Sequence, residues 1–362
     1  KGGAPQNSCQ ESPQQTGPRR IEAKGREMKP EVVVEGKTKI AISPKIFFNP
    51  FMESNRSITV ELLNSFFKEP FTAIDALSGS GAKGLRVANE TQAKQVILND
   101  LNPNSQKLMK KSVSLNKLKN TEITSEDANT LLSKHKFSTN FVDVDPFGSP
   151  APFTDSAIRA LLPKGAVLGL TATDTGALAG SFKNAALRRY GVRLEKTPFY
   201  NELGVRALAG FAVRAAGKYD VGLSVLFTHA TRHYYRVFFK THRGKGAADS
   251  ALKQVQTLLY CPKCGNMHYG RHAKCHGDML ELGPVWSSKI YEINLFNELD
   301  TELPFFDLHR LYQKWGLKPE KFVEIEKKLA DAGYKTSRTH FNKYGLRCDA
   351  SFEEFKAVLC PK

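Results

Sequence analysis

Residues 74–86 read IDALSGSGAKGLR, a short apolar run followed by Gly79-x-Gly81-x-x-Gly84. Glycines at this spacing let the backbone turn tightly and come close to a ligand that side chains would hold off. Between a strand and a helix, such a turn is a nucleotide loop. The flanks supply both elements: FTAIDAL reads as a strand and KGLRVANET as a helix. Further out, SITVELLNSFF, SQKLMKKSVSLNKL, TDSAIRALL and LGVRALAGFAVRAAGKY space their apolar residues as helices do. QVILNDL, NFVDVDPF, AVLGLTATD and VGLSVLFTHA read as strands, and HYYRVFFK as a further strand of alternating type. Strands separated by helices of about 10–15 residues imply an α/β fold with a parallel, doubly wound sheet.

A chain of 362 residues has room for two domains. Residues 1–30 are polar, lack a secretory hydrophobic centre, and read as a flexible lead-in. No apolar run approaches the ~20 residues that span a bilayer, so a cytoplasmic protein without a membrane partner is expected. The formal net charge of +17 favours a polyanionic partner, because cations that neutralise phosphates release condensed counterions. The stretch THRGKGAADS (241–250), rich in Gly and charge, is expected to break the structure. It divides a first domain at 31–240 from a second, smaller α+β domain at 241–362. From about 300 to 360 the pattern is helix, helix, two strands around Tyr344-Gly345, then a helix at FEEFKAVL, a winged-helix-like order.

Three of the six cysteines cluster in CPKCGNMHYGRHAKCHGD (261–278), which is metal-site usage in a reducing compartment. Cys261-x2-Cys264 and His272-x2-Cys275 can close a structural, tetrahedral Zn2+ site within a zinc-ribbon-like segment at about 258–286. His268 and His276 are also near; His272 is preferred because it restores the two-residue spacing.

The acidic residues around the glycine loop separate the possible ligands. Asp75 precedes the glycines at the strand end, where a carboxylate suits an amino-acid ammonium and repels a pyrophosphate. Asp100, after the next strand, suits a ribose diol in either case. A nicotinamide dehydrogenase is therefore disfavoured against an S-adenosylmethionine enzyme. The decisive segment is Asp143-Val144-Asp145-Pro146-Phe147-Gly148-Ser149-Pro150. Asp-Pro-aromatic here resembles the (Asp/Asn)-Pro-Pro-(Tyr/Phe) motif of methyltransferases that act on exocyclic amino nitrogens. Asp145 and the Pro146 carbonyl accept the two N–H bonds of such an amine and localise its lone pair, and Phe147 stacks on the flipped base. Asp143 and Asp174 read as capping or turn support. Glu202 and Arg206, in YNELGVR, are candidates to line the pocket. ALRRYGVR (186–193) and KTSRTHFNKYGLR (335–347) interleave cations with aromatic or turn residues, as an RNA-binding face does.

FFNPFMESNR (47–56), DALSGSGAKGLR, LND (98–100), EDAN (126–129), DVDPFGSP, TATDTGALAG (171–180), NELGVRAL (201–208), GPVW (283–286) and THFNKYGL (339–346) occur in that order. Together they resemble the tRNA guanine-26 N2-dimethyltransferase family over roughly residues 31–360. The resemblance implies a Rossmann-like class I methyltransferase domain that transfers one or two methyl groups from S-adenosylmethionine to N2 of guanine 26 in tRNA. It assigns Arg56, Arg86, Asp100, Asp127 and Ala128 to the cofactor, beside Asp75 and Gly79 of the loop. Asp145 becomes the catalytic acid, and Phe47 with Phe147 the aromatic pair that holds the guanine. Cys275 falls at the place of the family's last zinc cysteine; a histidine among the ligands departs from the family's usual four cysteines. The alternatives are another base N-methyltransferase, for adenine N6 or a different guanine N2, and a non-catalytic zinc-ribbon RNA-binding protein. A monomer is favoured, with the oligomeric state open.

Overall fold

The structure is a computed structural model that describes residues 30–231, 233–271 and 274–360. It begins with a hairpin of β1 (Glu31–Glu35) and β2 (Thr38–Ile42), followed by α1 (Glu53–Phe66). The alternating region then runs β3 (Phe71–Asp75), α2 (Ala82–Glu90), β4 (Ala93–Asn99), α3 (Pro103–Leu115), β5 (Thr121–Thr124), α4 (Ala128–Lys134), β6 (Phe141–Val144), α5 (Ala151–Ala160) and β7 (Val167–Ala172). Helices α6 (Thr175–Leu178), α7 (Lys183–Tyr190) and α8 (Tyr200–Gly217) lead to β8 (Val221–Ala230) and β9 (Tyr235–Arg243).

The large sheet has the order β5-β4-β3-β6-β7-β9-β8. From β5 to β7 all pairs are parallel, whereas β9 runs antiparallel to both β7 and β8. The expected parallel sheet is thus a mixed one. β9 was expected to alternate, but it is buried along most of its length because it lies between β7 and β8 and is covered on both faces. β6 and β7 are buried at every position, as central strands of such a sheet are. Strand order reverses between β3 and β6, and α/β sheets bind ligands at the carboxyl ends beside such a reversal.

The stretch 241–250 does not break the structure. β9 continues through Arg243, and α9 (Lys245–Lys253) starts directly after Gly244. Ala247, Ala248, Ala251 and Leu252 form an apolar stripe hidden by the surrounding charge, and α9 lies against β8 and α8. Beyond it, β10 (Val255–Tyr260), β11 (Met267–Tyr269) and β12 (Leu280–Trp286) form an antiparallel sheet of order β11-β10-β12. The last segment comprises β13 (Phe306–Asp307), α10 (Leu308–Trp315), α11 (Phe322–Asp331), β14 (Thr336–Thr339), β15 (Asn342–Cys348) and α12 (Phe352–Leu359). Its strands pair in the order β13-β15-β14, so the helix, helix, strand, strand, helix succession is present with β13 added, but the strands turn at 340–341 and Tyr344-Gly345 lies within β15.

One hydrophobic cluster runs without interruption from Ile58 to Leu359, joining the large sheet to the C-terminal segments. α8 is the hub: it packs on β8 and β12, and a Cβ at Gly210 would stand 3.2 Å from the β12 backbone. Across this join lies a buried charge network. Glu202 Oε1 accepts from Arg206 Nε (2.9 Å), while its Oε2 accepts from Arg347 Nη2 (2.9 Å) and the Phe305 amide (3.1 Å). Arg206 also donates to the carbonyls of Ser288 and Thr301, and Arg347 Nε to Glu298 Oε2 (3.2 Å). Burial works to raise the Glu298 carboxyl, but His340 and Arg347 outweigh it and hold the pKa at about 2. Glu202 and Arg206 therefore join the two parts of the chain and do not line a pocket. Arg347, expected on an RNA-binding face, is fully buried. Arg347→Met leaves two buried carboxylates short of a partner and is expected to cost about 3–5 kcal/mol of stability, read by thermal or denaturant unfolding.

Candidate active site

The carboxyl ends of β3, β4, β6 and β7 open onto a cleft of about 690 Å³, within the size range of small-molecule sites. The loop after β3 enters it because Gly79 and Gly81 adopt φ of 56° and 82°, where a side chain is strained. Gly84 serves a close approach instead: a Cβ there would meet Leu98 Cδ2 at 2.2 Å and Asp75 Oδ2 at 3.0 Å. The loop is pinned at both sides. The Ala76 amide donates to the Asp143 carbonyl (3.1 Å) and the Ser78 amide to the Asn99 carbonyl (2.8 Å). Asp100 props it from β4, with Oδ2 accepting from the Gly79 amide (2.8 Å) and Oδ1 from the Asn102 amide (2.9 Å).

Three carboxylates meet at the strand ends. Asp75 is buried, and its Oδ2 accepts from the Gly84 amide (3.0 Å). Burial, followed by the neighbouring Asp143 charge, pushes its carboxyl up to about 7 against the opposing pull of Lys83 and the Gly84 amide. Asp143 is neither a cap nor a turn support. Its Oδ1 accepts from Arg236 Nη2 and its Oδ2 from Lys83 Nζ (2.8 Å). Lys83 Nζ also donates to Asp145 Oδ2 (2.5 Å). For Asp145 burial acts upward, but the charges of Lys83 and Arg236 and hydrogen bonds from Lys83 and Thr171 prevail, so its carboxyl lies below the usual carboxylate value.

The Asp145–Gly148 turn is fastened to the end of β7. The Gly148 amide donates to Thr173 Oγ1 (2.6 Å) and the Thr173 amide to the Gly148 carbonyl (2.8 Å). This leaves Phe147 76% exposed at the cleft mouth, beside Phe47 at 53%. Their rings stand edge to face, with centroids 4.6 Å apart. A planar base fits between them only once the rings part.

The cleft thus gathers Phe47, Arg56, Asp75, Gly79, Asp100, Asp145, Pro146 and Phe147. Arg56 reaches it while held by Glu35 of the N-terminal hairpin (2.6 and 2.5 Å). Three expected cofactor residues stand outside its lining. Arg86 turns away to Glu90 (3.0 Å) and Ser57 (2.8 Å). Asp127 caps α4, accepting from the Thr130 amide (3.0 Å), and Ala128 is buried behind it. Asp174 accepts from Tyr190 Oη (2.6 Å) and Arg189 Nη1 (2.8 Å) and supports the turn after β7, as expected.

Several contributors escaped the sequence reading. Lys83 belongs to no spacing pattern. Arg236 carried a signal, being a lone cation inside the apolar run YYRVFF. The β1–β2 hairpin that supplies Glu35 also had one, since EVVVEGKTKIAI sets two runs rich in β-branched residues on either side of a Gly-Lys turn. His233, between β8 and β9, lines the cleft too.

Away from the cleft, Cys261, Cys264, Cys275 and His276 bring their donor atoms within 4.8 Å of one another. Cys264 Sγ lies 3.5 Å from Cys275 Sγ, and His276 Nδ1 lies 3.1 Å from Cys275 Sγ and 3.9 Å from Cys261 Sγ. Among the described residues His276 completes the cluster; His272 lies outside them. The knuckle rests on the C-terminal helices through Trp315 Nε1 to the Cys264 carbonyl (3.0 Å) and Asn266 Nδ2 to Glu353 Oε1 (2.9 Å).

A family model described as N2,N2-dimethylguanosine tRNA methyltransferase matches residues 27–304 and 293–360. The chain belongs to this family. Its curated relatives include a tRNA (guanine(26)-N(2))-dimethyltransferase of Methanococcus maripaludis strain C6, 35% identical over 91% of this chain and 98% of the relative. The enzyme of the same name from Methanopyrus kandleri is 34% identical over 92% of this chain and 97% of its own. Among solved structures, Trm1 from Pyrococcus horikoshii in complex with S-adenosyl-L-methionine superposes with a TM-score of 0.83 at 31% identity. That match covers 91% of this chain and 99% of that one. This chain and that structure thus share one α/β architecture.

Proposed function

We propose that the cleft beside the β3/β6 reversal is where this family member, an S-adenosylmethionine-dependent tRNA guanine-26 N2-dimethyltransferase, carries out methyl transfer. The observation that carries this reading is the shared cleft: Asp145-Pro146-Phe147 faces it together with Asp75, Gly79 and Asp100. Asp75 suits the amino-acid ammonium of the cofactor and Asp100 its ribose diol, with Asp127 and Ala128 at the adenine end. Arg56 borders the amino-acid end, and Arg86 supports α1 and α2 from behind. When bound, S-adenosylmethionine supplies a methyl carbon on a cationic sulfur that leaves as a neutral thioether.

Guanine, parted from its stack, lies between Phe47 and Phe147. Asp145 and the Pro146 carbonyl accept the two N2–H bonds, which aims the nitrogen lone pair at the methyl carbon. The new C–N bond draws on that lone pair, and the proton displaced from N2 passes to Asp145. Most of the acceleration comes from position, which in favourable cases is worth ~7–11 kcal/mol. A dimethylated product requires the cycle to run twice, with Asp145 deprotonated each time.

The same reading gives a methyltransferase domain that runs past the expected boundary at 240 through β9 and α9, and a C-terminal domain from about Val255 onward. In the latter, the Cys/His knuckle is a zinc-ribbon-like element and residues 300–360 a winged-helix-like, tRNA-binding module. Three thiolates and an imidazole at these separations suit a structural Zn2+. The exposed Lys343 and Tyr344 remain available to RNA where Arg347 is not.

Asp145→Asn is expected to lower N2 methylation by about 10²–10⁴-fold while S-adenosylmethionine still binds, measured by nucleoside mass spectrometry and calorimetry. Wild-type turnover would remove Asp145 from the reaction. Because a cationic ligand favours ionised Asp75, cofactor affinity is expected to fall as pH drops below about 7, with proton uptake by the free protein. Asp75→Asn flattens that dependence, read by calorimetry across pH. Chelation of zinc is expected to lower the Tm and open the C-terminal segment to protease, both reversed by adding zinc back.

A further inference from the structure

We infer that Lys83 is a positioning residue for the methyl-transfer step, tying the catalytic carboxylate to the end of the sheet. The inference rests on the reading of Asp145 given above. Its basis is a chain of alternating charge, Arg236–Asp143–Lys83–Asp145, that crosses four elements of the fold. Arg236 comes from β9, yet Asp143 is on β6, with β7 between them. The guanidinium passes over β7 where residue 169 is glycine: a Cβ there would lie 2.5 Å from Arg236 Nη2 and 2.9 Å from Asp143 Oδ1. Arg236 Nη1 donates to Thr171 Oγ1 as it passes (2.8 Å). Asp143, 1% exposed, then hands its second oxygen to Lys83, itself 7% exposed.

Within this row of charges Lys83 alone contacts both the strand end, at Asp143, and the turn, at Asp145. Its ammonium spans Asp143 Oδ2 (2.8 Å) and Asp145 Oδ2 (2.5 Å). Two consequences follow for the reaction. With Oδ2 engaged, the N2 proton is directed to Oδ1, which fixes the orientation of the amine. The adjacent cation also keeps Asp145 ionised at rest and favours release of the accepted proton before the next transfer. Because Lys83 lies in α2 directly after the glycine loop, the same side chain links cofactor seat and base seat. Asp145 feels Lys83 from α2, Asp75 from β3, Asp143 from β6, and Arg236 with the neighbouring Tyr234 from the β9 side. His233 lines the cleft opposite. Of the cations, Lys83 is the one that contacts Asp145 directly.

The test is a single-turnover pH profile of tRNA methylation at saturating S-adenosylmethionine for wild type, Lys83→Met, Lys83→Gln and Lys83→Arg. Both neutral substitutions are expected to move the acid limb upward by about 1–3 units, so that loss at pH 6 exceeds loss at pH 8.5. Lys83→Arg keeps the wild-type limb, and each protein is assayed at a cofactor concentration that calorimetry shows to be saturating, because losing Lys83 also raises the Asp75 carboxyl. A limb unmoved in Lys83→Met and Lys83→Gln overturns the inference. So does a loss of rate that saturating cofactor abolishes, which would place Lys83 in the cofactor seat. If Lys83→Met does not fold, Lys83→Gln carries the comparison. Asp145→Asn is run in parallel: wild-type rates there would refute the role of Asp145 itself, an outcome separable from any behaviour of Lys83.

Discussion

Three carboxylates, Asp75, Asp143 and Asp145, crowd the adjoining ends of β3 and β6, largely out of water, and the fold is arranged to make that tolerable. Like charges at such distances repel strongly in a medium of low dielectric constant, so each needs a donor or a cation. Asp75 takes the Gly84 amide, at a position where Leu98 and Asp75 itself leave no room for a side chain. Asp143 takes Arg236 and Lys83, and Asp145 takes Lys83. The antiparallel β9 has its place in this balance. It buries a guanidinium opposite Thr171, within reach of the β6 end, at the one point where β7 presents a glycine. The balance is uneven: Asp75 is left with a carboxyl near neutrality while Asp145 is held ionised. Two carboxylates at one strand end are thus shifted in opposite directions by their neighbours.

Much of this was legible in the residues. IDALSGSGAKGLR placed the loop, and DVDPFGSP placed the carboxylate and the aromatic. The α/β alternation placed both at one edge of a sheet, because apolar runs and turn residues are local signals. Hidden features depended on partners far away in sequence. Nothing near Lys83 announces an acid 62 residues later. Nothing near Asp143 announces Arg236, so a capping reading was natural. Glu202 and Arg206 lie beside pocket-like sequence, yet their partners are in β15 and in the 288–301 segment. The stretch 241–250 misled for a different reason: its glycines and charges outnumber the alanines that seat α9 on the sheet.

Phe47 and Phe147 pair with each other at the mouth of the cleft. Their edge-to-face contact covers part of two rings that would otherwise be bare at the mouth. A base that inserts must replace that contact with stacking on both sides, which a planar purine does well and a side chain or small solute does poorly. In the proposed reaction the pair would therefore filter ligands by shape before any hydrogen bond to Asp145 is tested.

The uninterrupted core and the Glu202–Arg347 knot make the two halves of the chain one solid piece. A solid piece can serve as a ruler. Any surface the C-terminal segment offers to RNA stands at a set span and angle from Asp145, with no loose linker to blur it. A substrate of fixed three-dimensional shape, docked on that surface, presents one nucleotide at the cleft, and neighbours a few ångströms along its backbone miss it. On the proposed docking of tRNA at the C-terminal segment, choice of position among many guanines would then come from the stiffness of two folded molecules, with no need to read the bases around the target.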